Sequence, residues 1–234
     1  MRFPTRLLVN NLVFAFLVWV AFCVVVALVA AVVALFGSLT QSAWEAAAQL
    51  PRWFALFVGV GLVREYLPMY IALGQTRRQF GTQAAVTAAL YAPFLAALMT
   101  VGYLLESVLY GWADLSQRLG RVHLFTEPTQ VPVVFLEHLI EFLAWLVAGG
   151  FMAAAFYRWQ GGGILSVPLG VGLILLGGVA LGTELSLPFI RRIAFSDPGS
   201  LTVTVGIGLG VFLLGLALTW AIIRDVPLRN TART

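Results

Sequence analysis

Residues 12–36 read LVFAFLVWVAFCVVVALVAAVVALF, twenty-five apolar residues in a row without one charge. A helix rises about 1.5 Å per residue, and about 20 apolar residues cross a hydrocarbon core about 30 Å thick. A secretory signal has an apolar run of only about 7–15 residues. Arg2 and Arg6 precede this run, yet its length marks it as a retained membrane anchor.

The rest of the chain has the same character. Of its 234 residues 61% are hydrophobic and 10% are charged, and the mean hydropathy is +0.95. Water-soluble domains carry about 45–50% apolar and about 25% charged residues. So little charge cannot cover a soluble globule, which excludes a disordered chain, a fibre and an ordinary cytosolic enzyme. All 14 basic residues are arginine, against 10 acids, for a net charge of +4. No basic run is interleaved with aromatics, so the excess speaks for membrane topology and against a nucleic-acid partner. The single cysteine, Cys23, lies in the first apolar run and cannot close an intrachain disulfide.

Six stretches meet or approach the length that crosses a bilayer: about 12–36, 51–63, 81–105, 133–157, 164–183 and 201–223. The second is irregular, because Arg64 and Glu65 interrupt it and Pro68 follows, so Arg64 to Gly74 is read as a separate segment. With the N-terminus inside, the inner side holds Arg2, Arg6, Arg64, Arg77, Arg78, Arg158, Arg224, Arg229 and Arg233. The outer side holds Arg52, Arg118, Arg121, Arg191 and Arg192. Nine against five puts both termini in the cytoplasm by the positive-inside rule. The connecting segments are too short to fold alone. The expected fold is therefore one all-α, polytopic membrane domain over residues 1–234.

Two features of the spans bear on packing. Gly178/Gly182 and Gly206/Gly210 are small-xxx-small pairs, which let helix backbones approach closely in lipid. They serve packing within the chain or, alternatively, a subunit interface. Ala84, Ala88, Ala92 and Ala96 form a similar stripe on the third span. Four acids, Glu106, Glu137, Glu141 and Glu184, fall at or near the outer ends of spans. Ionisable groups in a membrane are costly unless paired or wet. Either they pair with Arg118, Arg121, Arg191 or Arg192, or they form an outer vestibule favouring cationic substrates.

Catalytic patterns are missing from the sequence. There is no GxxxxGK[ST] to cradle a nucleotide phosphate, no GxSxG and no HExxH. Glu137-His138-Leu139-Ile140-Glu141 has the wrong order for a zincin, and the only other histidine is His123. The chain is expected to be neither an enzyme nor a metal protein.

The sharpest local pattern lies between the second and third spans. Tyr66, Met69, Tyr70 and Leu73 recur at helical spacing and predict one apolar-aromatic stripe. Gly74 suits a helix C-terminus and Thr76 the N-cap of the next helix. Arg77 and Arg78 oppose that helix's dipole, so lipid phosphates are their expected partners. The segment reads as a short interfacial helix, either lying plainly on the membrane or docking a cytoplasmic partner.

Gly74-Gln75-Thr76-Arg77-Arg78-Gln79-Phe80 resembles the G-x-T/S-R-R-x-F stretch of ABC-2-type permeases, small six-span subunits of bacterial ABC exporters. The span count and cytoplasmic termini are similar too. The resemblance implies that Arg64 to Gly74, with Glu65, Tyr66, Met69, Tyr70 and Leu73, is a coupling helix contacting a separate ATPase subunit. That subunit would hold ATP and Mg, and this chain no cofactor. It further implies a second permease subunit, identical or related, export across the bacterial cell membrane, and a re-entrant outer hairpin at Glu184 to Ser200. Two rival readings remain: an ion-coupled secondary transporter using Glu141, and a non-transporting membrane partner held by its glycine faces.

Overall fold

The computed structural model describes residues 5–37, 39–115, 117–182, 185–187, 190–193 and 200–226. The helices are α1 (Thr5–Phe36), α2 (Ala43–Ala47), α3 (Gln49–Arg64), α4 (Tyr66–Ala72), α5 (Arg77–Trp112), α6 (Val131–Trp159), α7 (Ser166–Leu181) and α8 (Leu201–Ile223). A 3-10 turn, Gln160–Leu165, joins α6 to α7. The architecture is all-helical apart from one short antiparallel pair, β1 (Leu185–Leu187) and β2 (Ile190–Ile193).

Five continuous helical stretches are long and apolar enough to cross a membrane: Asn11–Phe36, Ala43–Ala72, Arg77–Trp112, Val131–Leu181 and Leu201–Ile223. The chain is thus a helical protein with the makings of several membrane crossings. The sequence reading separated six because it divided the 51-residue Val131–Leu181 stretch, which runs on through the 3-10 turn without an extended break. The third span also reaches further than expected, to Trp112. Glu106 does not end the helix, because its carboxylate accepts hydrogen bonds from the Trp44 amide and Gln117.

α6 is the axis of the bundle. Nearly every residue from Glu137 to Ala155 is buried, and α3, α5, α7 and α8 all pack on it. Lipid supplies no hydrophobic drive between helices, so close backbone approach must supply dispersion contact instead. The α3–α6 crossing does this most fully. A methyl group at Gly59 would overlap the Leu146 carbonyl, and one at Gly149 would overlap the Leu56 carbonyl. These contacts, with Arg52 beside Glu141 in the first half of both helices, run the two helices parallel. α7 runs back along α6, with Gly170 on Met152 and Gly177 on Ala144, and α8 runs parallel to α6, with Gly208 on Ile140 and Gly215 on Val147.

Of the two pairs the sequence singled out, Gly206/Gly210 makes no contact within the chain. Gly206 and Gly210 have no atom within 4 Å of where a side chain would start and face outward from α8. Gly182 ends α7 in a left-handed conformation, φ 62°, with Gly178 buried one turn before it. Periodicity finds a glycine face but not which face meets a neighbour. α1 is peripheral, with only 6% of its most apolar window buried and Val13, Leu17, Val24 and Leu28 all exposed.

Gly149→Ala forces α3 and α6 apart and is expected to cost about 1–3 kcal/mol. Gly206→Ala meets open space and is expected to be neutral or to stabilise the helix by up to about 1 kcal/mol. Thermal unfolding of the two variants in one detergent separates them.

Candidate functional sites at the two ends of the bundle

One end of the bundle carries α2 and the loop 113–130, and there the structure buries a network of charges. Arg52, near the start of α3, sits 2.7 Å from Glu141, and both side chains are nearly inaccessible. His123 comes from the loop and lies between two acids. Its Nδ1 is 2.6 Å from Glu137 and its Nε2 is 3.2 Å from Glu45 on α2. The Leu124 amide donates to Glu137 at 2.7 Å, and the Gly120 amide donates to Glu45 at 2.7 Å. His138 is buried beside them, its Nδ1–H donating to the Val134 carbonyl at 2.8 Å.

Glu106, on α5, anchors the same region from the other side. It accepts hydrogen bonds from the Ser42 hydroxyl, from the Trp44 amide at 2.9 Å and from Gln117 at 2.6 Å. Ser42 also caps α2 by accepting from the Glu45 amide. Trp44 lies flat over Gly102, where a methyl group would overlap the indole. The connection from α1 to α3 is folded into the bundle, with Trp44 and Glu45 both buried.

Of the expected outer acids, then, Glu106, Glu137 and Glu141 are brought to one end, buried and engaged within the chain. Glu184 lies outside the described residues, as do the side chains of Arg191 and Arg192. The partner of Glu137 is His123 and that of Glu141 is Arg52, which had been counted only as an outer-side charge at the end of its span. An arginine directly after Pro51 inside an apolar stretch was the available signal, since a charge there needs a partner. Nothing in the sequence pairs His123 with Glu45, because that contact depends on the fold of the loop.

Burial opposes hydrogen bonding and charge at His123. Burial alone lowers the imidazolium's pKa, but the hydrogen bonds and charges of Glu137 and Glu45 outweigh it and raise the value to about 9. His123 is therefore a cation at neutral pH. Together with Arg52 it offsets two of the three carboxylates Glu45, Glu137 and Glu141.

The other end carries the α4–α5 corner. α4 follows α3 after one residue, Glu65, and ends at Gly74 with φ 77°. The Gln75 amide turns back to the Tyr70 carbonyl at 3.0 Å, a Schellman-type closure. Thr76 caps α5 in a full capping box, accepting from the Gln79 amide at 3.2 Å while its own amide donates to the Gln79 side chain at 2.9 Å.

The predicted stripe on α4 does not form one outward face. Tyr70 is buried edge-on against Phe80, with ring centroids 5.7 Å apart, and Leu67 is buried beside it. Tyr66 is half-buried and within 3.4 Å of Asn11. Only Met69 and Leu73 of the four are exposed, together with Arg64, Glu65 and Gly74. The helix is a single two-turn piece between α3 and α5, so its aromatic side is consumed by packing.

Arg77 and Arg78 also part company. Arg77 reaches across to the end of α8 and donates to the Val226 carbonyl at 2.6 Å and to the Arg224 carbonyl at 3.4 Å. Arg158 donates to the Ile222 carbonyl at 3.2 Å. Two arginines thus cap the exposed carbonyls and negative dipole end of α8, in place of lipid phosphate in the case of Arg77. Arg78 is exposed.

Comparison with protein-family models, with curated proteins and with solved structures finds no match in any of the three. What these two sites do must be argued from their chemistry.

Removing one member of a buried ion pair strands the other. Arg52→Ala is expected to destabilise the fold by about 3–5 kcal/mol, and Arg52→Met combined with Glu141→Leu to regain most of it. Chemical denaturation in detergent measures both. For His123 the folded pKa lies above the unfolded value of about 6.5, so its contribution is complete below about 6.5 and is lost as pH rises through about 9. Tryptic cleavage after Arg118 or Arg121, normalised to an unfolded reference peptide, is expected to rise steeply over that window in the native chain. It is expected to change little with pH in His123→Gln.

Proposed function

We propose that the chain is the permease subunit of an ATP-driven exporter of the ABC-2 type in a bacterial cell membrane. It would work with a separate ATP-binding subunit and a second permease subunit, identical or related. The observation that carries the reading is the α4–α5 corner. A short helix between two membrane helices ends in a left-handed glycine and a capping box, and so meets α5 at a fixed angle. It exposes Met69 and Leu73 beyond the bundle and is tied through Arg77 to the end of α8. A contact that transmits force needs such a rigid, partly apolar surface joined to a movable membrane part. The phosphate loop missing from the sequence would then reside, with ATP and Mg, on the partner.

Several finer features belong to this proposal. Val131–Leu181 has 51 residues, about 76 Å of helix, enough for two crossings of a core about 30 Å thick. α7 lying antiparallel on α6 supports the count of six. The excess of arginine at the corner end supports placing that end and both termini in the cytoplasm. β1 and β2 would be part of the outer hairpin before the last span, re-entering the membrane.

The buried charge network favours a second reading, ion-coupled transport, because Glu45, His123, Glu137 and Glu141 are titratable groups gathered at one depth. That reading requires substrate flux to follow a proton gradient with no nucleotide present.

The test of the first reading is isolation of the chain from native membranes with its ATPase. Met69→Asp with Leu73→Asp alters only exposed positions on α4. It is expected to reduce co-purifying ATPase activity at least about ten-fold while the chain melts as before. Full ATPase recovery with the double variant overturns the coupling role.

A further inference from the structure

At the corner end an apolar groove of about 430 Å³ runs between α5 and α8, floored by α3 and α6. Gly81, Ala84 and Ala88 form one wall, Leu216 and Trp220 the other, and Arg78 stands at one end. The two hydroxyls on its walls are already committed. Thr82 donates to the Arg78 carbonyl at 3.0 Å and Thr219 to the Gly215 carbonyl at 2.7 Å. The groove therefore offers a ligand apolar surface and one guanidinium.

Size and charge together select the occupant. The volume equals about fourteen groups of water size, near that of one acyl chain. From Arg78 to Ala88 the groove is about 15 Å long, and a helix 10–12 Å across over that length needs roughly three times the room. The described residues at this end carry Arg64, Arg77, Arg78, Arg158 and Arg224 against Glu65 and Asp225. Arg77 and Arg158 are spent on α8 carbonyls and Arg224 on Asp225 at 3.0 Å. Arg78 is the cation left facing the groove, and among the described residues no acid pairs with it.

We infer that this groove holds one acyl chain of an anionic phospholipid whose headgroup phosphate is bound by Arg78. The site does not depend on the exporter reading and needs no ATPase. A lipid seated there would lie against Trp220, whose indole rests on Gly81.

The full-length chain, reconstituted in phosphatidylcholine vesicles, is titrated with phosphatidylglycerol or phosphatidylcholine bearing brominated acyl chains, which quench tryptophan. The Trp220 component is the difference from Trp220→Phe. Brominated phosphatidylglycerol is expected to quench it at about five-fold lower mole fraction than brominated phosphatidylcholine. Arg78→Gln is expected to abolish that preference, and Ala85→Phe, which fills the groove, to suppress quenching by both lipids. Equal quenching by the two lipids in the native chain overturns the site, as does a preference that survives Arg78→Gln. A cross-link between Ala217→Cys residues of two copies, formed as quenching disappears, would give the groove to a second chain and overturns it as well.

Discussion

The bundle depends on how closely α3 can lie against α6. Inside a bilayer the lipid is as apolar as the helix surface, so adhesion comes from dispersion at short range and from polar groups matched across the interface. Gly59 and Gly149 let each backbone meet the other's carbonyls, and no residue with a Cβ fits either place. Once α3 is fixed, Arg52 on its first turns is carried to Glu141 on α6. Close packing and ion pairing are consequences of the same parallel register. A shift of one residue in it would rotate Arg52 by about 100° and leave two charges without partners.

The two ends of the bundle solve the problem of backbone and charge in different ways. At the loop end the acids are enclosed, and chain segments pay out across them as donors: Gly120, Leu124, Ser42 and Trp44 all donate to glutamates that belong to other elements. A connection that could have been loose is thereby held at several points, with Phe125 buried and stacked on His123 at 4.6 Å. At the corner end the arginines work outward on helix carbonyls, and the apolar residues Met69 and Leu73 stay in the open. One end is closed by its own side chains and the other is left with surface to offer.

Much of the helical layout was legible because a membrane span needs length and hydropathy, both of which survive in one dimension. Thr76 and Gly74 were readable as cap and stop for the same reason, since caps are local chemistry. The charge network was not. Glu137 and Glu141 stood out as acids in an apolar run, but their partners come from positions 52 and 123, far away in sequence. The outward stripe on α4 failed because spacing alone does not say which side of a two-turn helix meets its neighbours, and Phe80, a residue outside the stripe, decides that Tyr70 turns inward. The spacing of Gly206 and Gly210 likewise does not say which side of α8 meets a neighbour: that pair faces outward, and Gly208 and Gly215 make the contacts with α6.

α5 joins these two ends physically. It begins at the Thr76–Gln79 capping box and, about 45 Å further along at 1.5 Å per residue, places Glu106 under Ser42 and Trp44. A helix of this length transmits an axial displacement of its first turn only if its neighbours allow it to slide. The buried face of α5 includes Ala88, Tyr91, Ala92, Leu95, Ala96 and Met99. On the α8 side it touches little and leaves the groove. Polar side-chain anchors hold α5 near both ends, Arg77 on α8 and Glu106 on Ser42 and Trp44. Movement of the corner must break one of those polar anchors or carry the capped end of α8 and the enclosed loop along with it.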